Sequence, residues 1–187
     1  MPHSLPSFET ARLLLRPRSH DDLDAVMRLN GDPEVMRFIA PPGAASMSRE
    51  SVAARSFGHA EKGLGYWSVF ARDGNAQMLG YVGLIPRDGE PEAAQISYRF
   101  ATRHWRKGYA SEAVACLLRH GFETLGLPAI ELFTHPENVA SCRLAAKLGF
   151  GLAPSPSTET IGYPPVPGTL FRLTPPEWRQ RLTPPAA

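Results

Sequence analysis

The run TARLLLRP (residues 10–17) places Leu13 and Leu15 in alternation with Arg12, Leu14 and Arg16, the period of a strand with one buried face. Ser19 followed by Asp22 is a helix-start pattern, and Leu23, Val26, Met27 and Asn30 then share one helical face as far as Gly31. SRESVAARSFGHAEKG (48–63) opens on a Ser cap with Ser51 at the third helical position and predicts a second helix, weakened by an interior Gly58. YWSVFAR and QMLGYVGLI follow as strand-like runs. They are joined through Arg72-Asp73-Gly74-Asn75, and Asp-Gly between two such runs predicts a hairpin.

AAQISYRF (93–100) predicts a third central strand. Past a basic turn, Ala110, Ala113, Val114, Leu117, Leu118, Gly121, Phe122 and Leu125 recur at helical spacing until Gly126 and Pro128. AIELFTH reads as a buried strand. NVASCRLAAKLGF reads as a helix capped by Asn138 and stopped at Gly149. GTLFRLT is a final strand, and PPEWRQRL a short helix with Pro in its first turn. The order β α α β β β α β α β predicts an α/β fold, an α+β mixed sheet with helices on both faces: antiparallel in the middle, with a βαβ crossover after it.

Length and composition bound the rest. With 187 residues, 43% hydrophobic and 20% charged, one domain over residues 8–182 is expected, with a Pro-rich tail at 183–187. A net charge of +2 is too mild to imply nucleic-acid binding. No run of 18 apolar residues and no signal-peptide pattern is present, so a cytoplasmic, non-membrane protein is expected. Cys116 and Cys142 have no metal-ligand spacing and read as buried free thiols; no metal site is expected. The segment GLAPSPSTETIGYPPVPG reads as an extended loop.

The basic turn is the unusual feature. Arg103, Arg106 and Lys107 crowd the start of a helix whose dipole already places positive charge there. Two readings stand: a polyanion cradle built from the N–H groups of residues 106–111 and these cations, or a solvated loop. Neither a GxxxxGK[ST] loop nor a GxGxxG fingerprint is present, so nucleotide hydrolysis and hydride transfer are unsupported.

Gln95-Ile96-Ser97-Tyr98, then Trp105-Arg106-Lys107-Gly108-Tyr109-Ala110-Ser111-Glu112-Ala113, then His135-Pro136-Glu137-Asn138 with Ser141, and Leu148-Gly149-Phe150 occur in order. This series resembles the GNAT superfamily of N-acetyltransferases, in the branch similar to the ribosomal-protein N-terminal (alanine-type) enzymes, and the likeness spans about residues 8–181. The resemblance implies a sheet with a splayed parallel strand pair and acetyl-coenzyme A as donor. Its pyrophosphate would lie on Arg103, Arg106, Lys107, Gly108, Tyr109, Ala110 and Ser111, and its pantetheine along Phe100, Ala101 and Thr102. It also implies a backbone oxyanion donor within 97–99, Ser141 as proton donor to the leaving thiolate, and Asn138 as both cap and pantetheine contact.

Gln95 stands where relatives carry Glu, and an amide cannot act as a base. Glu131 and Tyr98 are the substitutes to consider, and the change leans toward an amine of low pKa. Arg106 stands where relatives have Gly. Glu112 reads as a structural partner of the helix dipole, Trp67 and Trp105 as packing, and Tyr66 and Tyr163 as acceptor-side residues. The function expected is acetyl transfer to a protein N-terminus or a small amine, with a catalytically weak acyl-coenzyme A binding module as the alternative. Edge strands of such a scaffold would suit a homodimer.

Overall fold

The computed structural model describes residues 5–41, 43–74, 76–87, 90–154 and 159–182. An eight-stranded sheet runs in the order β1-β2-β3-β4-β5-β6-β10-β7. Its strands are β1 (Phe8–Glu9), β2 (Leu13–Pro17), β3 (Gly65–Ala71), β4 (Met78–Arg87), β5 (Glu90–Phe100), β6 (Ala129–Thr134), β7 (Gly151–Leu152) and β10 (Thr169–Leu173). All neighbours pair antiparallel except β5 and β6, which are parallel. This is the mixed sheet the pattern predicts.

Helices cover both faces. On one face α1 (Leu23–Asn30) and α3 (Arg49–Phe57), with the short α2 (Pro33–Met36) between them in sequence, bury Val26, Leu29 and Val52 beside Tyr66 and Tyr81. On the other, α4 (Tyr109–Arg119), α5 (Val139–Leu148) and α6 (Pro175–Leu182) close the larger core over Leu13, Leu15, Trp67, Leu84, Ile96 and Leu132. Trp67 is fully buried and its indole N–H donates to the Pro6 carbonyl at 2.7 Å, so the polar end of a large apolar group is satisfied. Truncation at such a site costs about 3–5 kcal/mol.

Several boundaries differ from the sequence pattern for local reasons. The first strand is split: the Leu13 N–H donates to Thr10 Oγ1 at 3.0 Å, and this turn separates β1 from β2. The second helix stops at Phe57, with Gly58 as its C-cap, and a 3₁₀ turn at Ala60–Lys62 carries the chain onward. The helix after the basic turn is α-helical to Arg119 and then widens into a π-turn at His120–Thr124. There Gly121 lies so close to β6 that a Cβ would stand 2.6 Å from the Ile130 Cδ1. The segment expected as an extended loop contains a two-stranded ladder, β8 (Thr160–Ile161) with β9 (Val166–Pro167); residues 155–158 and the tail at 183–187 lie outside the described residues. Cys116 and Cys142 are free but only half-buried, because each lies at the margin of its helix's packed face rather than within it.

The opening of the sheet matters most for function. β5 and β6 keep register from Ala93↔Ala129 to Ile96↔Leu132, after which β5 runs on to Phe100 beside β4 and β6 to Thr134 beside β10 without pairing to each other. The two strands therefore part over residues 97–100 and 133–134.

Candidate active site

The basic turn and α4 come first. Gly108 is the N-cap with φ 79°, in the left-handed region where a side chain is strained. Arg106 also has positive φ, 59°, an uncommon conformation for a residue with a Cβ and one that Gly adopts freely. The N–H groups of Tyr109, Ala110 and Ser111 precede the first intrahelical bond, Glu112 N–H to the Gly108 carbonyl at 3.1 Å. Arg103, Arg106 and Lys107 are exposed around this helix start. Donors and cations thus converge, as an anion cradle requires.

The turn is held from outside. Glu112 Oε1 accepts from the Thr10 hydroxyl at 2.6 Å and the Arg12 N–H at 2.9 Å, and Oε2 accepts from the Arg12 guanidinium at 2.7 Å. Arg12 also donates to the Lys107 carbonyl at 2.9 Å and lies 4.9 Å from the Tyr109 ring centre. Partial burial would raise the Glu112 pKa, but these hydrogen bonds and the Arg12 charge outweigh it and hold the carboxyl below its ordinary value. Glu112 is therefore a strut between the β1–β2 turn and the cradle. Trp105, expected to be packed, is 44% exposed; its indole N–H donates to the Phe100 carbonyl at 2.6 Å and fixes the exit of β5.

The strand gap lies next to this turn. Ala101 N–H donates to the Leu79 carbonyl at 3.0 Å. Antiparallel ladders alternate, so by this register the odd residues 95–101 face β4, and the N–H groups of Tyr98 and Phe100 face the gap. Within the expected window 97–99, Tyr98 is thus the residue whose amide can reach a ligand there.

Side chains of β5 divide between the two faces. On the α4–α5 side, the Tyr98 hydroxyl meets Ser141 Oγ at 2.8 Å, linking residues from different elements across the gap. Asn138 Oδ1 accepts from the Ser141 N–H at 3.2 Å, so Asn138 caps α5 and aims Ser141. Burial pushes the Tyr98 pKa up to about 12, while the Ser141 hydrogen bond pulls the other way. The phenol is therefore protonated at neutral pH: it can give a proton and cannot serve as a base. The thiol of Cys142, next in sequence, is pushed up mainly by burial.

On the α1–α3 side, Gln95, Ser97 and Arg99 line a cavity of about 260 Å³, together with Arg18, Asn30, Tyr66, Tyr81 and Arg87. Tyr66, expected at the acceptor side, lies in its wall; Tyr163 is 73% exposed and does not line it. Glu131, the register partner of Gln95, is buried between two cations: Oε1 accepts from Arg172 at 2.7 Å, and Oε2 lies 3.0 Å from Arg87 Nε as an ion pair without a hydrogen bond. Glu131 is therefore no free base. His135 accepts from the Glu137 N–H at 3.1 Å and lies 5.0 Å from the Phe38 ring, so it anchors the strand-exit turn.

Sequence reasoning did not find Arg18, Asn30 or Tyr81. One signal was present: Gln95, Ser97 and Arg99 put polar groups at alternate positions of a central strand whose other face is apolar. Among the described residues no group of three or more His, Cys, Asp or Glu could hold a metal ion. Among them, too, no helix is long and apolar enough to cross a membrane.

Similarity to known proteins agrees with this geometry. The profile of the family described as acetyltransferase (GNAT) domain matches residues 12–151. An N-acetyltransferase of Bacillus subtilis, YoaA, is 31% identical over 147 residues, covering 78% of this chain and 82% of its own length. The N-acetyltransferase p20 of Bacillus licheniformis is 33% identical over 148 residues, 78% of this chain and 83% of that protein. Among solved structures, an acetyltransferase of Agrobacterium tumefaciens superposes with a TM-score of 0.77 at 23% identity, covering 91% of this chain and 95% of that one. RimL, a ribosomal L7/L12 alpha-N-protein acetyltransferase solved with coenzyme A, superposes with a TM-score of 0.74 at 16% identity, covering 90% of this chain and 98% of its own. On the family profile and the sequence relatives, the chain belongs to the GNAT acetyltransferase family and is an acyltransferase.

Proposed function

We propose that the protein transfers an acetyl group from acetyl-coenzyme A directly to a primary amine, of a protein N-terminus or a small molecule. The observation that carries this reading is the parting of β5 from β6 beyond Ile96 and Leu132, with the Tyr98–Ser141 hydroxyl pair on one face and Gln95, Ser97 and Arg99 on the other. A donor and an acceptor could approach each other through that gap from opposite faces.

The pyrophosphate is held by the N–H groups of 106–111 with Arg103, Arg106 and Lys107, and the pantetheine follows Phe100, Ala101 and Thr102 with Asn138 and Ser141 beside it. Attack of the neutral amine on the thioester carbonyl develops an oxyanion, which the Tyr98 N–H stabilises. As the carbonyl re-forms, the carbon–sulfur bond breaks and the thiolate takes a proton from the hydroxyl pair, which recovers one from water. Tyr98 and Ser141 act here as one relay, since each hydroxyl is the other's partner. The amine must give up its own proton to water, because Gln95 has no basic atom and Glu131 is committed to two arginines.

Release of coenzyme A thiol from acetyl-coenzyme A, followed over a panel of amines, tests this. Turnover that Ser141→Ala and Tyr98→Phe both depress supports transfer. The missing base favours a second reading, a catalytically weak acyl-coenzyme A binding module. Tight coenzyme A binding, silence with every amine, and activity gained by Gln95→Glu would support it instead.

A further inference from the structure

The acceptor-side cavity carries an unusual charge. Among the described residues its charged lining groups are Arg18, Arg55, Arg87, Arg99 and Glu159. Arg87 is neutralised by ion pairs to Glu131 and Glu159. The other arginines have neutral hydrogen-bond partners: Arg18 donates to Ser56 Oγ at 2.8 Å, Arg55 to the Ser46 carbonyl, and Arg99 to Asn30 Oδ1 at 2.7 Å. A cationic or wholly apolar acceptor would be repelled or poorly solvated in such a space.

Arg18 is the sharpest case. The residue is 7% exposed, and its Nε and one terminal nitrogen are buried without any hydrogen-bond partner. Its guanidinium carbon lies 4.5 Å from the Tyr66 ring centre and 4.3 Å from that of Tyr81, so two aromatic faces fix it. Gly83 makes this possible, since a Cβ there would stand 2.6 Å from the Tyr66 ring. Asp22 is the carboxylate whose charge reaches Arg18, but its oxygens accept from Arg16, Ser19 and Ser68. Burying a guanidinium with two unpartnered donors and no anion in hydrogen-bond contact is costly, and aromatic faces offset only part of that cost. The arrangement fits an anion supplied from outside. Asn30 extends the order by accepting from both Tyr81 at 3.1 Å and Arg99.

We infer that the acceptor is a small amino acid, whose carboxylate is held by Arg18 and Arg99 while its amine reaches the gap beside Gln95 and Ser97. This assignment rests on the acetyl-transfer reading. Two features select it. Arg99 and Ser97 are two residues apart on β5, roughly 7 Å along a strand, a span suited to a carboxylate and an amine of one small molecule. The cavity of about 260 Å³ lies below the usual range for drug-sized ligands. Bond changes are those of amide formation: the amine nitrogen gains the acetyl carbon and loses a proton, and coenzyme A leaves as the thiol.

The test uses the full chain with coenzyme A bound, and titrates it calorimetrically with L-amino acids and their carboxamides, which keep the amine and remove the negative charge. Thiol release from acetyl-coenzyme A is measured with the same panel and with peptides that begin with an acidic residue. Expected is a preference of roughly 100-fold or more for at least one free acid over its amide, since a site built around a charged group rejects the analogue lacking it. Arg99→Gln should shrink that preference at least tenfold. Arg18→Gln should do the same where it folds, and the comparison of acid with amide in the native protein does not depend on either variant. Binding of acids but not amides, without turnover, would retain the carboxylate site and overturn the transferase reading. Equal binding of acids and amides, binding of neither, or binding of acidic peptides alone would overturn this inference.

Discussion

The cradle at the start of α4 and the cavity over β5 both gather arginine, yet they use it in opposite ways. At the cradle Arg103, Arg106 and Lys107 are exposed and the ordered donors are backbone N–H groups, with Gly108 at φ 79° shaping the turn. In the cavity Arg18 is buried between two tyrosine rings and the backbone is already committed to the sheet. Exposed cations on a helix start suit a large, multiply charged ligand that stays partly in water. A desolvated, fixed guanidinium suits one compact anion in a single pose, where its hydrogen bonds count for more. Specificity for the acceptor should therefore lie on the face of β5 away from α4.

The largest expected effect lies at the junction of the two regions. Tyr98→Phe removes one member of the hydroxyl pair while leaving the ring's packing. We expect kcat to fall on the order of 10²–10⁴-fold, with coenzyme A affinity by calorimetry nearly unchanged; loss of affinity instead would make Tyr98 a binding residue. Because burial puts this phenol at about 12, native activity should show no loss from tyrosine ionisation up to about pH 10. The sign follows directly: the proton is present below the pKa and is lost only above it.

Gly83→Ala separates the regions next. Its Cβ would stand 2.6 Å from the Tyr66 ring, so the stack around Arg18 must shift. Overpacking of this kind costs about 1–3 kcal/mol, read as a lower urea midpoint, and the acceptor KM should rise while that of acetyl-coenzyme A holds. Gly108→Ala should reverse that pattern. The left-handed conformation disfavours a side chain by about 1–2 kcal/mol, and the added Cβ would approach an Arg12 nitrogen at 3.2 Å, so coenzyme A affinity should suffer most.

The smallest effect concerns the strut. The Glu112 pKa is depressed in the folded state, so its contribution to stability is present above its unfolded value and fades as pH falls through the folded one. Glu112→Gln should lower the melting temperature at pH 7 by an amount equivalent to about 1 kcal/mol or less. The difference should begin to shrink as pH falls below about 4, the ordinary range of a glutamate, and the two proteins should converge only once pH has passed below the lower folded value. A constant difference across that range would mean that packing, not charge, holds the turn.

How much of this was readable beforehand follows the same division. The cradle is contiguous in sequence, so Arg103 through Ser111 announced themselves as a basic turn entering a helix, and the order of motifs carried the fold. Arg18 just after β2, Arg55 on α3, Arg87 on β4 and Arg99 on β5 come from separate elements, and only the pairing of the strands and the packing of α3 on the sheet gather them. Tyr98 and Ser141 meet across 43 positions, which no local spacing could reveal. Glu131 reads from sequence as a candidate base, and its ion pairs to Arg87 and Arg172 leave no trace there, because contacts between distant strands are invisible in local sequence. The alternation Gln95, Ser97, Arg99 is a local trace of the polar wall, and it coincides with the strand that also carries the family's motif.

The central claim is that donor and acceptor occupy different faces and meet at the gap without a covalent acyl-enzyme. Initial rates of thiol release, measured while acetyl-coenzyme A and the best amine of the panel are varied together, test it most directly. The account predicts double-reciprocal lines that intersect, as a ternary complex requires. Parallel lines, the mark of a ping-pong path through an acetylated side chain, would contradict it.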